Sequence, residues 1–185
     1  MSLEDIKKDM KLKFEKDLLE KRTLYLIDTI DNETANRLGA EILWLNVKSD
    51  EKITLYINSL GGNIAAGLNI YDIIKHSKAP ITGIVYCKAN SMAIIALQAC
   101  KNRKVMSHSE ICFHNMRLGL HLEWDEFEKI KDKELQKIKE CQEDYNKIIS
   151  KRSGIDIKII EGWCKEKKIM SPEEALDFNL VDEII

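Results

Sequence analysis

Residues 52–100 read KITLYINSLGGNIAAGLNIYDIIKHSKAPITGIVYCKANSMAIIALQAC, and this stretch decides the fold. It contains one unit twice. KITLYINS reads as a strand, LGGN as a turn and IAAGLNIYDIIKHS as a helix; PITGIVY, CKANS and MAIIALQAC then repeat the order. The apolar runs fit strands buried on both faces. Strands that alternate with helices through short turns belong to an α/β protein with a mostly parallel sheet and crossover helices.

The reading extends outward from this unit. Toward the N-terminus, LYLI at 24–27 is a short strand, and NETANRLGAEILWLNV is a helix that Asn32 or Thr34 can cap. Residues 1–22 place Leu3, Ile6, Met10, Phe14 and Leu18 at helical spacing among alternating acids and bases. Toward the C-terminus, RKVMS and EICFHN are short strands. Residues 123–152 form a heavily charged helix with a narrow apolar stripe at Leu135, Ile138, Cys141, Tyr145, Ile148 and Ile149. At ~1.5 Å per residue it extends ~45 Å, so it is expected to project or to pack on a partner subunit. IDIKIIEGWCKEK is a further helix, SPEEALDFN another with Ser171 as cap and Pro172 in its first turn, and LVDEII a closing strand.

The 185 residues suffice for one domain, 1–185, and no Pro- or Gly-rich linker divides it. A net charge of -2 gives no push toward nucleic acid or an anionic membrane surface. No apolar run is long enough to cross a bilayer, and MSLEDIKKDM lacks the core of a secretory signal. Five cysteines, at 87, 100, 112, 141 and 164, form no CxxC and read as reduced, mostly buried thiols of a cytoplasmic protein. The four histidines show no metal-ligand spacing, so neither metal nor cofactor is expected.

Two turns stand at the carboxyl ends of sheet strands, the edge where parallel sheets place ligands. In SLGGN, Gly61 and Gly62 let the backbone approach a substrate and aim N–H groups at developing negative charge. A plain strand-to-helix turn fits the same letters. In the second turn Ser91 is either a helix cap or a nucleophile, and a nucleophile needs a base within reach. His114, at the end of EICFH, emerges one strand further on at the same edge. His108 and His121 lie in more polar surroundings, and His76 ends a lysine-flanked helix.

The blocks ITLYINSLGGNIAAGLNIYDIIK, ANSMA, ICFHN and MSPEEALDFNLVDEII, in this order and spacing, resemble the proteolytic subunit of the Clp protease. The likeness runs from about Leu19 to the C-terminus. It implies a crotonase-like fold of ββα repeats, and heptameric rings stacked as a tetradecamer around a closed chamber. It also implies an ATP-driven unfoldase partner that feeds in unfolded polypeptides. Residues 123–152 resemble the handle helix that joins the two rings. By the same resemblance Ser91 is the nucleophile, His114 the general base, and Gly62 and Met92 supply oxyanion-hole N–H groups.

The chain departs from the pattern where the triad acid is expected. Counting back from Ser171, that position is Lys167, which cannot accept an imidazole N–H and whose charge opposes an imidazolium. In extended chain the adjacent Glu166 points the other way; Glu161, Glu166 or a carboxylate elsewhere would have to rescue the site. Cys87-Lys88-Ala89-Asn90, Ala93 and Met116 also differ from the residues usual around the serine and histidine, and the charged N-terminal segment differs from the family's mostly apolar one. Three readings follow. The first is a serine endopeptidase. The second is a weak or inactive regulatory subunit in a mixed ring with a paralogue. The third, an acyl-CoA enzyme of the wider crotonase fold, lacks a carboxylate placed over its substrate.

Overall fold

Alternating burial along two neighbouring strands divides the molecule into layers. β1 (Thr23–Ile30) and β2 (Ile53–Gly62) pair in parallel, with Leu24 opposite Leu55 and Leu26 opposite Ile57. These four side chains are buried, whereas Tyr25 and Tyr56 between them are only half-buried. One face of the sheet therefore carries the main core and the other a row of tyrosines, as the two-residue period of a strand requires. The computed structural model describes residues 3–117 and 124–185.

α1 (Leu3–Glu20) packs on β1, and α2 (Asn32–Lys48) returns the chain along the sheet to β2. The cap of α2 is Asp31, not Asn32 or Thr34. Its carboxylate accepts the Thr34 N–H at 2.8 Å and brings negative charge to the positive end of the helix. α3 (Ile64–Lys75) is capped by Asn63, β3 (Ile81–Asn90) follows, and α4 (Met92–Ala99) leaves it. All eight residues of α4 are buried, as a helix apolar on every side must be. It packs against α3, β2, β3 and α5 (Trp124–Ser153), and so forms the centre of the core. Burying its Ile94, Ile95 and Leu97 contributes about 1.5–3 kcal/mol each.

The remaining strands are β4 (Asn102–Val105), β5 (Glu110–Cys112), β6 (Ile169–Met170) and β7 (Glu183–Ile184). α6 (Ile157–Glu166) and α7 (Pro172–Asp177) precede the last two. Asp156 caps α6; Ser171 caps α7 through a capping box with Pro172 in the first turn, as read from the letters. The sheet runs β1-β2-β3-β4-β7, all parallel, and among the described residues only β6 pairs antiparallel, with β5. β3 forks: Thr82–Val85 pair with β4, and Lys88–Asn90 pair with β5. This exchange of neighbours carries the chain after β5 to the carboxyl end of β3.

Among the described residues all five cysteines are free thiols, two of them buried and three half-buried. No described helix is long and apolar enough to cross a membrane.

Candidate active site

The two turns are tighter than the letters suggest. β2 does not stop at Ser59 but continues through Gly61 and Gly62, which pair with Thr29 and Ile30 of β1. Register slips at Leu60, because Asp28 faces Ser59 and Thr29 faces Gly61. The Ser59 hydroxyl fills the gap, donating to the Asp28 carbonyl and accepting the Gly61 N–H. Such a bulge redirects a side chain. Leu60 is turned outward, 61% exposed, into the cleft described below.

Both glycines stand where a side chain has no room. At Gly61 (φ +83°) a Cβ would lie 2.6 Å from the Asn90 carbonyl oxygen and 2.8 Å from Ser91 Cβ. At Gly62 (φ +156°) it would run into the Ile30 carbonyl. The end of β2 is thus pressed against the turn that carries Ser91, as only glycine permits.

β3 likewise continues through Asn90, so the second turn is Ser91 alone. Ser91 has φ 52° and ψ -122°, a conformation that costs a non-glycine residue about 1–3 kcal/mol. Neighbours hold it there. Its N–H donates to the Cys112 carbonyl at 3.1 Å, and its own carbonyl accepts the Ile94 N–H at 2.9 Å. The side chain makes no capping bond to α4, so the hydroxyl is not a helix cap. Met92 is the first residue of α4, where a backbone N–H has no partner within the helix. The Asn90 side-chain oxygen is buried without a partner among the described residues, and no role for it follows from the geometry.

β5 ends at Cys112, two residues before His114, so the histidine stands in a loop rather than closing a strand. That loop is tied down at successive points. Phe113 N–H donates to the Lys168 carbonyl at 2.9 Å, Asn115 N–H to the Cys164 carbonyl at 3.1 Å, and Met116 N–H to Gln142 Oε1 at 2.8 Å. His114 Nδ1 is 2.8 Å from the Asn115 carbonyl oxygen. A carbonyl only accepts, so this contact requires the proton on Nδ1 and leaves the Nε2 lone pair free. The structure brings Ser91, His114, Gly61, Gly62, Leu60, Met116 and Arg117 around one cleft of about 230 Å³. Ser91 and His114 line it without a hydrogen bond to each other.

Lys167 does not lie in extended chain. It ends α6 in the left-handed region, at φ 54° and ψ 49°, with an exposed side chain. Its neighbour Lys168 accepts the Phe113 N–H, so Lys167 and His114 each stand one residue from the same contact. Neither Glu161 nor Glu166 is bonded to His114, and a backbone oxygen occupies its Nδ1 instead. His76 and His108 are exposed; His121 falls outside the described residues. Cys112 neighbours the serine turn, but burial, followed by the charge of Glu110, raises its thiol above the ordinary value, which disfavours a competing thiolate. Sequence reasoning missed Leu60, the Asn115 carbonyl and Arg117. A bulge and a backbone acceptor have no letter, and Arg117 is one of many surface cations until the fold sets it beside Ser91.

The family model for Clp protease matches residues 6–185. A curated relative, the ATP-dependent Clp protease proteolytic subunit 1 of Prochlorococcus marinus subsp. pastoris, is 32% identical over 171 residues. That alignment covers 91% of this chain and 85% of the relative. A match over nearly the whole length, on a mixed α/β fold with a mostly parallel sheet, makes this chain a divergent member of the Clp protease family.

Proposed function

We propose that the chain is a serine endopeptidase subunit that hydrolyses peptide bonds of unfolded polypeptides, with Ser91 as nucleophile and His114 as general base. One observation carries the reading. Ser91 is held at a positive φ by its neighbours, and its hydroxyl is withheld from the helix it precedes. A serine that serves only as a cap needs no such geometry.

The chemistry follows from the cleft. Ser91 Oγ attacks the scissile carbonyl carbon while its proton passes to His114 Nε2. The carbonyl oxygen becomes an oxyanion that the N–H groups of Gly62 and Met92 receive. His114 then gives the proton to the leaving amine, and water releases the acyl chain by the reverse steps. Contact distances in an unliganded site tighten only with substrate bound, so the open Ser91–His114 pair is compatible with this route. The Asn115 carbonyl holds the tautomer in place of the missing carboxylate. It offers a dipole and no full charge to the imidazolium. In a serine protease with a disabled third member the cost is on the order of 10⁴ in rate, so slow turnover is expected.

The relative is named as the proteolytic subunit of an ATP-dependent protease, which supports a separate ATP-driven unfoldase as partner. The ring assembly rests on α5: Leu135, 45% exposed, stands on a long charged helix suited to joining subunits. Lys167, in place of a carboxylate, favours a second reading, a regulatory subunit without activity of its own in a mixed ring.

A serine-reactive fluorophosphonate separates the two. One label per chain by intact mass, lost in both Ser91→Ala and His114→Ala, is expected of the peptidase. An assembled protein that takes no label is the regulatory subunit.

A further inference from the structure

We propose that Arg117 gives this site a preference for peptides with an acidic side chain close to the scissile bond, an inference that rests on the peptidase reading above. Arg117 lines two hollows. One is the cleft with Ser91 and His114; the other is an adjoining groove of about 360 Å³ against α5. Gly62, Ile64 and Arg117 line both, so the two hollows adjoin along a shared wall to which Arg117 belongs. The walls of the cleft are otherwise mostly apolar, from Leu60, Ile64 and Met116. In the groove Glu134 is accompanied by Lys137, so among the described residues the one carboxylate there is outnumbered by two cations. Arg117 forms no ion pair with a carboxylate among the described residues.

The guanidinium is also well placed mechanically. The backbone just before it is fixed by the Asn115 and Met116 N–H bonds to Cys164 and to Gln142 of α5. A peptide lying extended along the cleft advances ~3.3 Å per residue, so side chains near the scissile bond pass the wall that Arg117 helps to form. A carboxylate there forms a two-pronged, charge-assisted pair that an ammonium cannot replace and that an amide matches poorly. A lysine at the same subsite meets like charge.

The test uses internally quenched peptides that differ at a single position, Glu, Ala or Lys, placed in turn on either side of the cleaved bond. For the assembled wild-type protein kcat/KM is expected to favour Glu over Lys by about tenfold, the scale of one charge-assisted contact. Arg117→Ala is expected to level the series and Arg117→Glu to invert it. A wild type with no preference, or a preference that survives in Arg117→Glu, overturns the proposal. The second result would assign the selectivity to Lys137. Should the Ala peptide remain uncut and the serine unlabelled, the peptidase reading fails separately. Fluorescence polarisation of the Glu and Lys peptides on Ser91→Ala then decides the Arg117 question by binding, with the same order expected and equal affinities overturning it.

Discussion

Lys167 occupies a left-handed backbone position, which asparagine and aspartate tolerate better than most residues. Lys167→Asp therefore keeps the backbone and exchanges a cation for the carboxylate that His114 lacks. Its kcat on a neutral peptide is expected to rise by at least about tenfold, a fraction of what a working third member contributes elsewhere. Lys167→Ala is the control, since it removes the charge without supplying an acceptor; an equal gain in both would assign the effect to charge alone. Gly61→Ala is expected to abolish fluorophosphonate labelling while the helical circular dichroism stays, because its Cβ collides with the serine turn at Asn90, Ser91 and the Met92 nitrogen. Ser91, His114 and the glycine pair were legible because each is a side chain, or a conspicuous lack of one, at a strand end. The Asn115 carbonyl was not, since every residue carries that group and only folding points it at an imidazole.

Apart from β6, the two-residue strand that the letters did not announce, elements were legible in order, less so in extent. CKAN looks like a turn because it is polar, yet it is sheet: Lys88 faces Glu110 across the strands at 3.1 Å, so charge pairing replaces apolar packing where β3 reaches the surface. The stripe on α5 reads as continuous, but among the described residues its full burial is confined to the C-terminal half. Tyr145 and Ile149 are buried, while Leu135 nearer the N-terminus is 45% exposed. The letters are alike; what differs is their burial in a fold where α5 packs on α4 and α6. Ile149→Ala is expected to cost about 2–4 kcal/mol in urea denaturation, as a buried methylene deletion does. Leu135→Ala is expected to leave subunit stability within about 0.5 kcal/mol and to shift sedimentation toward smaller species. Unchanged sedimentation would remove this residue from any subunit contact.

For the whole molecule, the repeated strand–turn–helix unit was enough to foretell a parallel α/β sheet, because buried strands joined by helices have few other ways to pack. The fork in β3 was not foretold, as nothing local marks where a strand changes neighbours. The end of the chain is fastened to this sheet through Arg103, which is 2% exposed and bonded to Asp182, Gln98 and Asn179. Burial alone would raise the Asp182 carboxyl, but hydrogen bonds and charge from Arg103 outweigh it and hold the group below the ordinary range. A lowered carboxyl stabilises the fold above its unfolded pKa, and the benefit is lost as pH falls through the folded value. Asp182→Asn should therefore lower Tm at pH 7, by about 4–8 °C for a loss of about 2 kcal/mol. The gap from wild type should close as pH falls beneath the ordinary carboxylate range and through the lowered folded value, where the wild-type carboxylate is protonated too. A pH-independent gap would mean that shape, not charge, holds the terminus. The serine turn shows the same reliance on distant chain. Gly61, Ser91 and the Cys112 carbonyl meet there, and the loop bearing His114 hangs on Cys164, near the far end of the sequence. A chain still leaving the ribosome has not made that last anchor. On the peptidase reading its serine is then still inert, and a newborn subunit spares the unfolded chains around it until it has itself finished folding.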